Sequence, residues 1–201
     1  IEDGNIRYGL SSIKGVSSAT LSKLVSFRHE HSSKIDMFLS AKESGLSIGV
    51  LSALIQAGAM YSYQGGNSRA YLCLEAALWN ILTVKEQQII KPLSESLEND
   101  NIFELVKKCV EELKDEKGKP LIKPSRFETI KKKIVPHKEI YAQNSKNQTL
   151  TNYIYELNML GYSYSHKLAD IYKEKNPLIQ SIKEAKEVDD EDNTPGRSLV
   201  A

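Results

Sequence analysis

From Leu10 onward, apolar side chains recur at three- and four-residue spacings, the period of amphipathic helices. Leu21, Leu24 and Val25, with Arg28 in the same frame, predict a first helix, and the Ser17-Ser18 pair before it suits N-capping. Ile48, Leu51, Leu54 and Ile55 form a second stripe, closed by Gly58 just past the helix end. After a Gly65-Gly66-Asn67 turn, Leu74, Leu78, Ile81 and Leu82 predict the longest helix, running from Ser68 to Ile89 and stopped by Pro92. Ile102, Val106, Val110 and Leu113 mark the next, ending in Asp115-Glu116-Lys117-Gly118. Leu150, Ile154, Leu157 and Leu160 mark another, ending at Gly161. Extended signals are confined to the ends, at Ile6-Arg7-Tyr8-Gly9 and Arg197-Ser198-Leu199-Val200-Ala201, and no repeat of fixed period stands out. The expected fold class is all-α.

Composition narrows the function. The 201 residues are 40% hydrophobic and 26% charged, the balance of a globular chain. Lys+Arg 27 against Asp+Glu 26 leaves +1, so no overall field recruits nucleic acid or membrane. No apolar run approaches the ~18 residues of a bilayer span, and the start Ile1-Glu2-Asp3-Gly4 lacks a secretory pattern. Cys73 and Cys109 fall on separate predicted helices and make neither a disulfide framework nor a zinc site, so a reducing, cytoplasmic setting is expected. The Ile1 start and the apolar run that closes at Ala201 read as a piece of a longer chain.

The sharpest local signal is the corner Ile13-Lys14-Gly15-Val16-Ser17-Ser18 between a short helix and a longer one. Gly15 lets the backbone turn with no Cβ in the way, and Val16 is placed to enter the core. The amides of Val16, Ser17 and Ser18 are expected to face outward at a helix N-terminus, where unpaired donors and the helix dipole suit an anion. Lys14 and Lys23 add charge. Such a site grips the sugar-phosphate backbone of double-stranded DNA and reads no bases. An ordinary helix-turn-helix corner would carry the same pattern.

Three segments add a family likeness. Ile6-Arg7-Tyr8-Gly9-Leu10-Ser11-Ser12-Ile13-Lys14-Gly15-Val16 resembles the helix-hairpin-helix region of bacterial-type DNA polymerase III alpha subunits. Val50-Leu51-Ser52-Ala53-Leu54-Ile55-Gln56-Ala57-Gly58-Ala59-Met60, followed by Asn67-Ser68-Arg69-Ala70, is similar to the next segment of that family. Glu156-Leu157-Asn158-Met159-Leu160-Gly161-Tyr162-Ser163-Tyr164-Ser165-His166-Lys167-Leu168 resembles the segment that leads toward its OB domain. Residues 75–150 match only as helical spacer. The departures are Ser17 at the hairpin's second glycine, Tyr61 in place of an Asp, and a Ser-Gly-His-Pro stretch reduced to Ser165-His166-Lys167. Such drift fits a phage-encoded or otherwise divergent polymerase.

The resemblance implies a region beyond the fingers that holds duplex DNA and helps dock the sliding clamp and other replisome subunits. The palm aspartates that bind catalytic Mg2+ in that family lie earlier in the parent chain. No catalytic residue, metal ligand or cofactor is therefore expected here, and this piece should not polymerise DNA.

The other candidates are plainer. Arg126, Lys131, Lys132 and Lys133 belong to a stretch from Lys119 to Lys146 with eight Lys/Arg against two Glu, and form a secondary basic patch or a solvated lysine face. Tyr141, Tyr153 and Tyr155 suit stacking on single strands or packing with a wet hydroxyl. Gln148-Thr149-Leu150-Thr151-Asn152-Tyr153 has the flavour of a clamp-binding peptide without its pattern, and Leu150 also fits the helix stripe. His29 and His31 are two apart, where a helix turns them to different faces and a metal pair would need three or four. No Ser or Cys stands beside a His and an acid as a nucleophile would, which leaves a hydrolase without residues. The sequon Asn147-Gln148-Thr149 reads as chance in a cytosolic setting.

The expected organisation is a helix-hairpin-helix module over 1–64, a helical connecting, clamp-proximal layer over 65–186, and an acidic linker with the start of an OB-like domain over 187–201. The expected function is sequence-independent binding of the duplex backbone within a polymerase. The rival is an all-α protein-interaction adaptor without direct DNA contact.

Overall fold

Short polar side chains open most of the helices. Ser33, Ser47, Ser68, Thr83, Asn101 and Asn147 stand at N-caps, and each accepts a hydrogen bond from an amide of the turn that follows. The computed structural model describes residues 9–27, 30–65, 67–142, 147–175, 180–181 and 199–200. Among these are a 3-10 turn at Leu10–Ser12, α1 (Ser18–Phe27), α2 (Lys34–Glu43), α3 (Ile48–Gln56), a second 3-10 turn at Tyr61–Tyr63 and α4 (Arg69–Ile81). There follow α5 (Val84–Ser96), α6 (Ile102–Glu111), α7 (Pro124–Ala142), α8 (Gln148–Leu160) and α9 (Leu168–Lys175). Among the described residues, strand pairing consists of a two-residue parallel pair, β1 (Gln180–Ser181) with β2 (Leu199–Val200), and an isolated antiparallel bridge between Lys114 and Pro120. The fold is all-α, as the periodicity implies. Ile6 to Tyr8, Arg28, His29, Lys146 and the acidic run Glu187 to Asp192 lie outside the described residues.

Three helix ends, two of them expected (Gly58 and Gly161), sit where glycine permits a left-handed backbone. Gly58 has φ +86°, its amide donates to Ile55 O, and the Ala59 amide reaches Leu54 O, which is a Schellman cap on α3. Gly45 (φ +69°) ends α2 in the same way, with Leu46 N donating to Ala41 O. Gly161 (φ +83°) ends α8.

The helix expected from Ser68 to Ile89 is instead two helices. The chain breaks at Leu82, whose backbone is extended, and restarts at Thr83. There a capping box closes: Thr83 N donates to Glu86 Oε2 (2.7 Å) and Glu86 N donates to Thr83 Oγ1 (3.3 Å). Pro92, expected as the stop, lies inside α5. The carbonyl it leaves without a partner belongs to exposed Gln88, where water can serve it.

One cluster of buried side chains runs from Ile13 through α1–α7 to Ile134. α4 is its spine and packs against α3, α6, α7 and α8. Small Ala70, Cys73, Ala76 and Ala77 let neighbours approach closely, while Leu72, Leu78 and Trp79 supply buried area. Each fully buried leucine in such a cluster contributes about 1.5–3 kcal/mol. Two ion pairs cross this interior. Lys34 Nζ lies 2.8 Å from Glu75 Oε2, both side chains buried, and Glu75 Oε1 accepts from Ile102 N, which ties α2, α4 and α6 together. Burial pushes the Glu75 carboxyl upward against the pull of Lys34. The second pair, Arg69 with Glu156, joins α4 to α8 at 2.7 Å.

Candidate nucleic-acid interface

The first hairpin is built by successive turns. Ser12 N donates to Gly9 O and Ile13 N to Leu10 O; Gly15 then turns the chain at φ +91°. A Cβ on Gly15 would make only an ordinary contact, so the conformation demands glycine, not crowding. Val16 is buried as expected of the residue that pins the corner. Its amide is not outward, however: it donates to Ile13 O at 3.0 Å, because closing so tight a turn uses that donor. Lys14 N is also engaged, donating to Met159 O at 2.8 Å. The amides that find no acceptor among the described residues are those of Gly15, Ser17, Ser18 and Ala19, at and before the start of α1. Ser17 Oγ lies 2.9 Å from Thr20 Oγ1, on the exposed side, so neither hydroxyl is sequestered from an incoming oxygen. Lys14 is exposed.

A second hairpin joins α2 to α3, and the sequence reading missed it. Gly45-Leu46-Ser47 repeats the order of Gly15-Val16-Ser17 thirty positions later, and Leu21 and Leu24 recur as Leu51 and Leu54. Leu46 is buried like Val16, and both glycines have positive φ. The amides of Ser47, Ile48 and Gly49 have no acceptor among the described residues. Unlike Ser17, Ser47 caps its own helix, accepting from Val50 N at 3.3 Å. A search for a second glycine in each hairpin passes over a repeat that carries serine in both.

The two hairpins hold each other reciprocally. The nearest atom to a Cβ built on Gly15 is Ala53 Cβ in α3, at 4.0 Å. The nearest to one on Gly45 is Lys23 Nζ on α1, at 3.7 Å. Lys23 and Ala53 are themselves thirty positions apart, so each corner sits over the equivalent residue of the other motif's second helix. This is the reciprocity that a two-fold relation imposes. Lys23 Nζ donates to Gly45 O at 3.0 Å, which places the positive charge predicted for the first corner at the second. Ser22, Ser26, Ser40 and Ser44 line a shallow polar depression beside Lys23, with Glu43 as the one acidic member.

The basic patch is not gathered into a surface. Arg126 turns inward as a fork on Glu86, with Nε to Oε1 at 2.7 Å and Nη2 to Oε2 at 2.9 Å, and Nη2 also reaches Ile81 O. Burial raises the Glu86 carboxyl, but hydrogen bonds from Arg126 and Thr83 outweigh it and hold the group below its usual range. Lys131 pairs with Glu128 at 2.9 Å and covers the Phe127 ring. Lys132 and Lys133 alone of the four are exposed without a side-chain partner among the described residues.

Tyr155 is buried and Tyr141 half-buried beside Cys73 and Ser52, where neither offers a face for stacking; Tyr153 is half-buried. Gln148 to Tyr153 is the first half of α8. His31 packs between Phe27 and Tyr63 with tilted rings, the centroids at 5.0 and 5.8 Å. Burial pushes the Cys73 and Cys109 thiols up to about 12 and about 11, the values of inert core cysteines. No group of three or more His, Cys, Asp or Glu among the described residues could hold a metal ion. No helix among them is long and apolar enough to cross a membrane.

Residues 1–72 match a family model described as a helix-hairpin-helix motif. The match takes in both corners and ends within α4, and the motif suggests nucleic-acid binding. No curated protein and no solved structure matches the chain.

Proposed function

We propose that this chain binds the sugar-phosphate backbone of duplex DNA through its paired hairpins, as part of a replicative polymerase of the type III alpha kind. The observation that carries the reading is the pair of glycine corners, each opening a helix whose first amides have no acceptor among the described residues. A phosphate oxygen at each corner would accept from the amides of Ser17 and Ser18, or of Ile48 and Gly49. Lys14 supplies charge at the first corner and Lys23 at the second. With no base-reading group among these residues, binding is independent of sequence. The polymerase context rests on the three segments that resemble that family, and a sliding clamp and other replisome subunits are the partners it implies. Lys132 and Lys133 are all that is left of the secondary patch.

Two corners make few phosphate contacts and the net charge is only +1, so binding by the isolated chain is weak. One phosphate at each corner corresponds to a slope of about −2 in log K against log salt. Titration of a fluorescent duplex at several salt concentrations tests this. The wild-type chain binds at low salt and weakens as salt rises, and the double substitution Lys14→Glu with Gly15→Asp lowers affinity at least about ten-fold by placing two negative charges on the first corner. A folded sample that binds no duplex at low salt overturns the reading and favours the adaptor alternative.

A further inference from the structure

The first hairpin is held from outside the motif. Its Lys14 amide donates to Met159 O, in the last turn of α8, where helix carbonyls lack intrahelical donors. Past Gly161 the chain doubles back, and the fully buried Glu156 side chain gathers the return. Glu156 Oε2 accepts from Ser163 Oγ (2.8 Å), Tyr164 N (2.9 Å) and Ser165 N (3.0 Å). Its Oε1 accepts from Ser165 Oγ (2.5 Å) and Arg69 Nη1 (2.7 Å). Arg69 Nη1 donates in addition to Gln56 O, and the Tyr164 hydroxyl donates to Ala57 O, so the end of α3 is held by the same cluster. Two routes therefore lead from this carboxylate to the Gly15 corner. One runs through the last turn of α8 to Lys14 N, and the other through the end of α3, the helix on which Gly15 rests.

We infer that Glu156 is the positioning residue of the first hairpin, so that the DNA grip of residues 1–72 is completed by α8 and its return loop. The inference rests on the phosphate-binding reading for its functional half only. A carboxylate is required because five donors converge on two oxygens, and only an ionised acid is acceptor at both. Glutamine would turn an amide donor toward donors.

The test combines amide hydrogen exchange with duplex titration on the whole chain, for wild type, Glu156→Gln and the milder Ser165→Ala. Glu156→Gln is expected to speed exchange at Lys14 by about ten-fold or more while Ile90 and Leu105 keep wild-type protection, the pattern of local release and not of global loosening. The salt slope of duplex binding should fall by about one, as for the loss of one phosphate contact, whereas a smaller folded fraction would leave the slope unchanged. Ser165→Ala should give a smaller rise at the same amide. Wild-type protection of Lys14 in folded Glu156→Gln overturns the inference. If that variant does not fold, Lys14 protection unaltered in Ser163→Ala with Ser165→Ala overturns it instead. A wild-type chain that binds no duplex at low salt sinks the phosphate reading, and exchange at Lys14 still decides the positioning.

Discussion

At the scale of single residues, Gly58 carries the heaviest constraint. Its φ of +86° is unfavourable to any side chain, and a Cβ there would overlap the Tyr164 hydroxyl and come within 2.8 Å of Arg69 Nη2. Gly58→Ala is expected to cost about 2–4 kcal/mol, strain and overpacking together, read as a lower urea midpoint at unchanged slope. Gly15 is constrained differently: its φ is positive, but a Cβ there would make only an ordinary contact with Ala53 Cβ, at 4.0 Å. This is why substitution there can be used to probe binding at a smaller cost in stability. The need for glycine at Gly58 was legible, because a C-cap is local chemistry. The crowding was not, since Tyr164 is more than a hundred positions away and only packing brings it there.

At the scale of elements, the junction of α4 and α5 shows what periodicity misses. Leu78, Ile81 and Leu82 keep the helical period up to the break, so the stripe alone runs straight across it. The stop was written in Thr83 and Glu86, whose reciprocal capping outcompetes continuation. Pro92 is a weaker signal than it looks, because Gln88, four positions earlier, is exposed and its orphaned carbonyl is open to water. Pro92→Ala should therefore stabilise the protein, by about 1–2 kcal/mol, since it restores an intrahelical bond that an interior proline forfeits while the unfolded chain gains some freedom. Thermal unfolding of the variant measures this; a lower melting temperature would show that the proline ring packs usefully. Arg126 makes the parallel point for charge. Composition places it on a basic face, but Glu86, forty positions earlier, draws it inward.

At the scale of the whole molecule, buried and half-buried carboxylates link stability to pH. Burial raises Glu156, but hydrogen bonds from Ser165, Ser163 and Arg69 outweigh it and leave the group below its usual range. Glu86 is lowered for a similar reason, and Asp36 is lowered by Lys91 and Ser32. Groups lowered in the folded state contribute stability that is full above the unfolded pKa of about 4 and is lost as pH falls through their folded values. Glu75, raised by burial, acts in the opposite sense and costs stability as pH rises through its value. The urea midpoint should be lower at pH 3 than at pH 6, with a smaller drop in Glu156→Gln. A midpoint that held constant across this range would show that the paired carboxylates are as well solvated unfolded as folded.

The amino-acid order alone determined the all-helical class, the limits of α3, the start of α4, the end of α8 and the first glycine corner. Each of these follows from interactions within a few positions: a period of apolar residues, a hydroxyl at a cap, a glycine at a left-handed turn. Only the tertiary structure decided which donors find no acceptor among the described residues, that the two corners pack on each other's second helix, and that Met159 O takes the Lys14 amide from 145 positions away in the chain. Hydrogen bonds and ion pairs fall off within a few ångströms, so a distant partner counts only once packing has brought it into reach.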